Sequence, residues 1–260
     1  MAHCDPLLSV PWLLRFSPDG RMLAYSGDGL DSTIRLLEVA SGRERRSLAG
    51  QLGSVTSLSF SADSRRLITA CYTEALVWDL GISRTGRTAS AAELEKLWAD
   101  LAGEDATRAY AAIQKLAAAP NVAIPFLRKH LSPVPAVDEK RVARLIANLD
   151  SDDFATRQRA TGDLEKLGEQ ALPAYRRALD GKPSLETRRR LEDLQSKAHT
   201  AWWDVSGERL RSLRAIEALE LAGTEEARDV LKMLAAGAEG ARLTEQAKAA
   251  LERLTRRAGR

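Results

Sequence analysis

The residues with the widest chemical range in this chain are two cysteines, Cys4 and Cys71, and three histidines, His3, His130 and His199. Metal sites draw ligands from short, characteristic spacings, and these histidines have none with each other or with the cysteines. No metal or cofactor site is expected. Cys71 ends a predicted strand, with no histidine implied nearby as its base, so a buried structural thiol is expected there. His130 falls at the C-terminus of a predicted helix, where a cation is favoured. The acid pairs Asp152-Asp153 and Glu225-Glu226 each open a predicted helix. Capping and the helix dipole account for both pairs without catalysis. The glycine-rich Gly27-Asp28-Gly29 leads into a strand rather than a helix, so it lacks the context of a phosphate cradle and reads as a hairpin turn. No catalytic residue is predicted, and the chain reads as a non-enzyme.

Two features could serve binding instead. Trp202 and Trp203 are adjacent, and an exposed tryptophan pair would anchor a protein partner. The alternative is that they plug a junction between helical hairpins, since tryptophan is usually well buried. The second feature is arginine: Arg176-Arg177, Arg188–Arg190 and the terminal RLTRRAGR. Guanidinium groups suit planar anions, which raises nucleic-acid binding as an alternative function. Acids are interleaved, however, with Glu186, Glu192 and Asp193 flanking the triplet. Such neighbours read as a solvated, ion-paired helix face. No aromatic stacking platform accompanies them, so a protein partner is the main expectation.

The elements that must position these residues divide the chain in two. Its 260 residues are 44% hydrophobic and 29% charged, enough for two modest domains. Aromatics make up only 5%, which suits packed helices better than one large β body. The net charge of +3 is spread among mixed signs, so no basic tail stands out. Two cysteines form no disulfide framework, and reduced thiols in a cytoplasm are expected. The N-terminus has no signal-peptide pattern, and no apolar run approaches the ~18–20 residues of a membrane span.

Up to about Leu80, short apolar runs alternate with turn clusters. WLLRFS, MLAYS and TIRLLEV are separated by PDG and GDGLDS, a pattern of strands and hairpins. The region repeats: Leu13–Gly27 aligns with Ser57–Cys71, and IRLLEV aligns further on with ALVWDL. A repeat of roughly 40–45 residues is the period of a four-stranded propeller blade. From Ser90 the pattern becomes helical. Ser90 and Glu93 have capping-box spacing, followed by the stripe Leu94, Leu97, Trp98 and Leu101. IQKLAAAPNVAIPFLRKHL and LEKLGEQALPAYRRAL both read as a helix, a turn and a second helix. A third unit starts at Leu213, and a last helix spans Leu243–Leu254. Such hairpins cannot bury their apolar faces alone, so they are expected to stack.

FSPDGRMLA and VWDL, with GQLGSVTSLSFS between them, resemble the WD-repeat family over about two blades. The resemblance implies structural roles for Gln51, Thr69, Trp78 and Asp79, with Gln51 where the family's histidine is expected. In the first blade Asp31 is present, but Leu37-Glu38 stands where Trp-Asp is expected. Two blades cannot close a ring of ~4–8. The resemblance therefore implies either the tail end of a propeller or vestigial blades. The missing blades would come from a longer parent or from another chain.

LDSDDFATRQRATGDLEKLGEQALPAYRRAL resembles HEAT-like repeats, which places Arg157 as a bridge between neighbouring repeats. The whole order resembles multi-domain WD-repeat proteins of planctomycete-type bacteria. The expected fold is α+β in separate regions: an incomplete WD-type propeller fragment over 1–82, a linker over 83–90, and an all-α HEAT-like hairpin array over 91–260. The expected function is a non-catalytic protein-interaction or scaffold module.

Overall fold

A computed structural model describes residues 13–27, 32–81, 88–203 and 206–258, and within these the side chains of 201–203 and 258 are not described. His3, Cys4, Asp28, Gly29, Asp31 and residues 83–87 of the predicted linker lie outside the described residues, as do the side chains of Trp202 and Trp203.

The first sheet contains β1 (Leu13–Phe16), β2 (Met22–Ser26), β3 (Ile34–Glu38) and β4 (Glu44–Leu48), antiparallel and in chain order. The second contains β5 (Ser57–Phe60), β6 (Arg66–Ala70) and β7 (Ala75–Asp79), also antiparallel. The same turn opens each sheet. Ser17 Oγ donates to Asp19 Oδ1 at 2.6 Å and accepts from the Met22 amide at 2.9 Å. Ser61 Oγ makes the equivalent bonds to Asp63 and Arg66 at 2.6 and 2.9 Å. Gly20 supplies the positive φ of 71° in the first turn, and Ser64 adopts 60° in the second. Ser64 Oγ also accepts from the Asp19 amide at 3.2 Å, which ties the two turns together.

Strand alternation then decides the packing. Ile34, Leu48, Ala24 and Leu36 share one face of the first sheet through the register Ser26↔Ile34↔Leu48 and Ala24↔Leu36. They pack with Leu58, Leu67 and Leu80, and with part-buried Phe60 and Trp78, to form a single core between the sheets.

The helices are α1 (Ala91–Ala102), α2 (Ala106–Ala118), α3 (Pro120–His130), α4 (Glu139–Asn148), α5 (Phe154–Leu167), α6 (Leu172–Asp180), α7 (Leu185–Trp203), α8 (Gly207–Ala222), α9 (Glu225–Ala235) and α10 (Arg242–Ala258). Their starts follow the sequence signals. Ser90 accepts from the Glu93 amide at 3.2 Å, and Asp153 accepts from the Thr156 amide at 2.9 Å. Thr224 caps α9 just before Glu225 and Glu226. Helix α3 starts at Pro120, earlier than the predicted IPFLRKHL helix, and runs through Pro125. Burial of Ala123, Ile124 and Leu127 holds the turn whose backbone bond Pro125 lacks.

Packing does not follow chain order. Helices α1–α3 share one apolar core with α8–α10, built on Leu101, Ile113, Leu116, Ile216, Leu219 and Leu231. Helices α4–α7 form a second core around Leu149, Leu164, Tyr175 and Leu191. The extended segment 132–138, with Pro133 and Pro135, carries the chain out of the first core, and α8 brings it back. Arg157 does not bridge repeats. Its Nη1 donates to the Ser151 and Asp152 carbonyls at 2.5 and 3.0 Å, so it closes the loop before its own helix. That loop holds the nearest unpaired carbonyls within reach of a first-turn arginine.

Because the two helical cores share no buried residue, Leu191→Ala should destabilise α4–α7 by about 2–5 kcal/mol. Hydrogen exchange should then quicken in α4–α7 and stay slow in α8–α10. Equal quickening in both would show one cooperative core.

Candidate interaction site

Three of the four WD-type residues meet in the second sheet. Trp78 Nε1 donates to Thr69 Oγ1 at 2.9 Å, and Thr69 Oγ1 donates to Gln51 Oε1 at 2.5 Å. Gln51 Nε2 reaches the Glu74 carbonyl at 3.4 Å. Thr69 and Gln51 are buried, so each polar atom in this chain of bonds needs its partner. Asp79 stays outside it and accepts from the Gly81 amide at 2.7 Å. Cys71 departs from the expected buried thiol. It is half-buried, because it begins the turn that leaves β6 rather than sitting inside the strand. Hydrogen bonds from Thr73 and then Gln51 pull its pKa down to about 7.

A second polar network joins the first sheet to α8. Arg214 on α8 clamps Glu38 at the end of β3, with Nε and Nη2 at 3.0 and 2.6 Å from the two carboxylate oxygens. Arg45 on β4 donates to Glu38 at 2.7 Å and to both oxygens of Glu217 at 2.8 and 2.7 Å. Arg214 also donates to the Leu101 and Gly103 carbonyls, which covers the end of α1. All four ionic side chains are buried. Burial by itself would raise the Glu38 pKa, but the hydrogen bond from Arg214 and the charges of Arg45 and Arg214 outweigh it and hold the group at about 2. The same carboxylates keep Arg45 firmly protonated against burial.

One turn along α8, Glu220 accepts from Arg253 Nε and Nη2 of α10 at 3.0 and 2.8 Å, and Arg21 approaches it at 2.8 Å. Around these clusters, Tyr110 Oη donates to the Leu80 carbonyl at 3.1 Å and Arg257 donates to the Asp63 carbonyl at 2.8 Å. Some arginines of the basic clusters are thus paired within the chain, while Arg176, Arg188, Arg189 and Arg256 are exposed. Arg177 pairs with Glu139, Arg190 with Glu186, and Arg253 and Arg257 with Glu220. Sequence reading treated Leu37-Glu38 only as a lapse from Trp-Asp. The missed signal was in α8, where RAIEALELA mixes charge and apolar residues without a clear stripe. That pattern fits a helix covered on every side, and Arg214, Glu217 and Glu220 are all buried.

The contacts of the sheets with Tyr110, α8 and α10 lie at the end that carries the β1–β2, β3–β4 and β5–β6 turns. The opposite end, among the described residues, carries exposed apolar side chains. There Leu52 is 81% and Tyr72 94% exposed, on loops joined by a bond from the Leu52 amide to Glu74 Oε1. The outward sheet faces also carry exposed apolar residues. Leu14 and Phe16 are exposed on the first sheet, and Ile68 and Val77 are exposed cross-strand partners on the second.

The family described as WD domain, G-beta repeat matches residues 2–37 and 42–90. The N-terminal part of the chain carries WD40 repeats. The matches end at Ser90, the N-cap of α1, so a helical region follows the repeats. WD40 repeats are protein-interaction modules. No curated protein matches the chain. Among the described residues no group of three His, Cys, Asp or Glu side chains is placed to hold a metal, and no helix is long and apolar enough to cross a membrane.

The junction makes two predictions. Arg214→Ala would leave Glu38 buried with only Arg45 and Ser41 as side-chain partners, so chemical denaturation should show a loss of about 3–5 kcal/mol. Glu38 is depressed from its ordinary value to about 2 in the folded chain. Its contribution is therefore complete above the unfolded-state pKa of ~4.3 and is lost as pH falls towards 2. Glu38→Gln should flatten the acid limb of the stability–pH curve across that window.

Proposed function

We propose that the chain is a non-catalytic scaffold in which a helical body holds two WD40 blades for contact with other proteins. The observation that carries this reading is the distribution of exposed apolar residues. Most of them lie on the sheets, at Leu52 and Tyr72 on one end and at Leu14, Phe16, Ile68 and Val77 on the two outward faces, with Val39 in the β3–β4 turn and Phe154 and Leu185 at helix starts. Leu52 and Tyr72 form a contact patch for a protein partner. The outward faces fit neighbouring blades, supplied by a longer parent or another chain, because blade-to-blade packing buries the equivalent face between the two sheets. Trp202 and Trp203 remain proposed anchors on the helical body.

The nucleic-acid alternative is weaker, because one arginine of each cluster, Arg177, Arg190 and Arg253, pairs with an acid, Glu139, Glu186 and Glu220. A salt titration with duplex DNA and single-stranded RNA tests it. Weak binding without a steep slope is expected, and tight binding that falls steeply with salt would replace the scaffold reading.

Photo-crosslinking residues placed at Tyr72 and at Phe16 should trap proteins in living cells, while one at Lys166 on the exposed face of α5 should not. Equal capture at all three positions, or none at any, would sink the proposal. A Leu52→Glu, Tyr72→Glu variant should lose the Tyr72-side partner roughly tenfold or more while keeping its circular dichroism unchanged.

A further inference from the structure

Helices α4–α7 meet α8–α10 along a seam across which no buried residue is shared. Two cavities of about 630 and 610 Å³ lie on this seam, and both are lined by Pro173, Arg177 and Glu239. The contacts beside them are small. The Ala238 amide donates to the Val134 carbonyl at 2.8 Å, and Gly240 lies so close to Pro173 that a Cβ on it would come within 2.9 Å of the ring. Residues 135–138 then run extended from Val134 to α4. A unit with its own core, a bare backbone contact and an extended connection is built to turn as a body.

The two walls of the larger cavity carry opposite charge. Arg176 and Arg177 of α6 line it from one body, and Glu239 and Glu245, from the α9–α10 turn and α10, line it from the other. Where these groups are paired, the partner belongs to the same body: Arg177 meets Glu139 at 3.0 Å, and Glu245 meets Lys248 at 3.0 Å. Arg176 and Glu239 are exposed, and neither has an ion-pair partner among the described residues. The attraction between the walls is therefore present but unspent.

Its size decides what it can do. At ~10 Å in water two unit charges attract by less than the thermal energy, and salt screens them further. Brought into contact at the surface, the same pair shifts an equilibrium only a few-fold. A body biased this lightly stays divided between two arrangements. We propose that α4–α7 rocks on the Gly240–Pro173 contact and on residues 135–138, and that the cleft closes when Arg176 meets Glu239. The separate core around Leu149, Leu164, Tyr175 and Leu191 lets the four helices move without loss of packing.

Double electron–electron resonance on the full chain tests this, with Cys4→Ser and Cys71→Ser and spin labels at Lys166→Cys on α5 and Lys232→Cys on α9. Both labelled positions are exposed. Two label separations are expected, and the ratio of their populations should change about two- to fivefold between low salt and ~1 M sodium chloride. Arg176→Glu at low salt should move the ratio as high salt does. Arg176→Glu combined with Glu239→Arg should restore it. Both side chains are exposed, so neither change removes a buried contact. A single separation unmoved by salt and by Arg176→Glu would overturn the proposal, and so would a double variant that behaves like Arg176→Glu alone.

Discussion

The bond pair between Arg214 and Glu38 is the constraint on which the arrangement of this chain depends. It joins residues 176 positions apart in sequence. Two buried charges can be brought together only if every donor and acceptor finds a partner, because an unpaired one is strongly unfavourable. The docking of α8 on the first sheet satisfies Glu38, Arg45 and Glu217 together while Arg214 reaches the carbonyls of α1. Well-packed apolar residues could give comparable net stability. They would not select one register and one rotation of the helix so narrowly. The network therefore acts mainly as a positioning device.

That docking has consequences for both parts of the chain. Nothing in the two described sheets themselves defines which end is covered. Helices α8 and α10 cover one end, through Glu217, Glu220, Arg253 and Arg257. Leu52 and Tyr72 are left at the other. The helical region is divided by the same choice. α8 must run between the sheet and α1, α2 and α10, so the returning chain joins the first core and α4–α7 pack among themselves.

Much of this was legible locally. The strand turns follow from Ser17 to Gly20 and Ser61 to Ser64, whose side chains hydrogen-bond within their own turns. The caps at Ser90 and Asp153 act within three residues. Arg157 and Pro125 show where motif reading falls short. A loosely defined pattern assigned Arg157 a distant partner when carbonyls five and six residues away were within reach. The IPFLRKHL segment reads as a helix beginning near Pro125, whereas burial of the neighbouring apolar residues carries α3 through it from Pro120.

The sequence by itself determined the two sheets, their turns, the helix starts and the change from strands to helices near Ser90, because each depends on side chains interacting within a few residues. Only the tertiary structure decided that Glu38 is a buried anchor, that α8 is covered on all sides over Arg214–Glu220, and that Arg253 and Arg257 face inward to Glu220. These outcomes rest on charges that meet across 30 to 180 residues of chain. Nothing in the spacing of Glu38, Arg45, Arg214 and Glu217 marks them as neighbours until the sheet and the helix are packed.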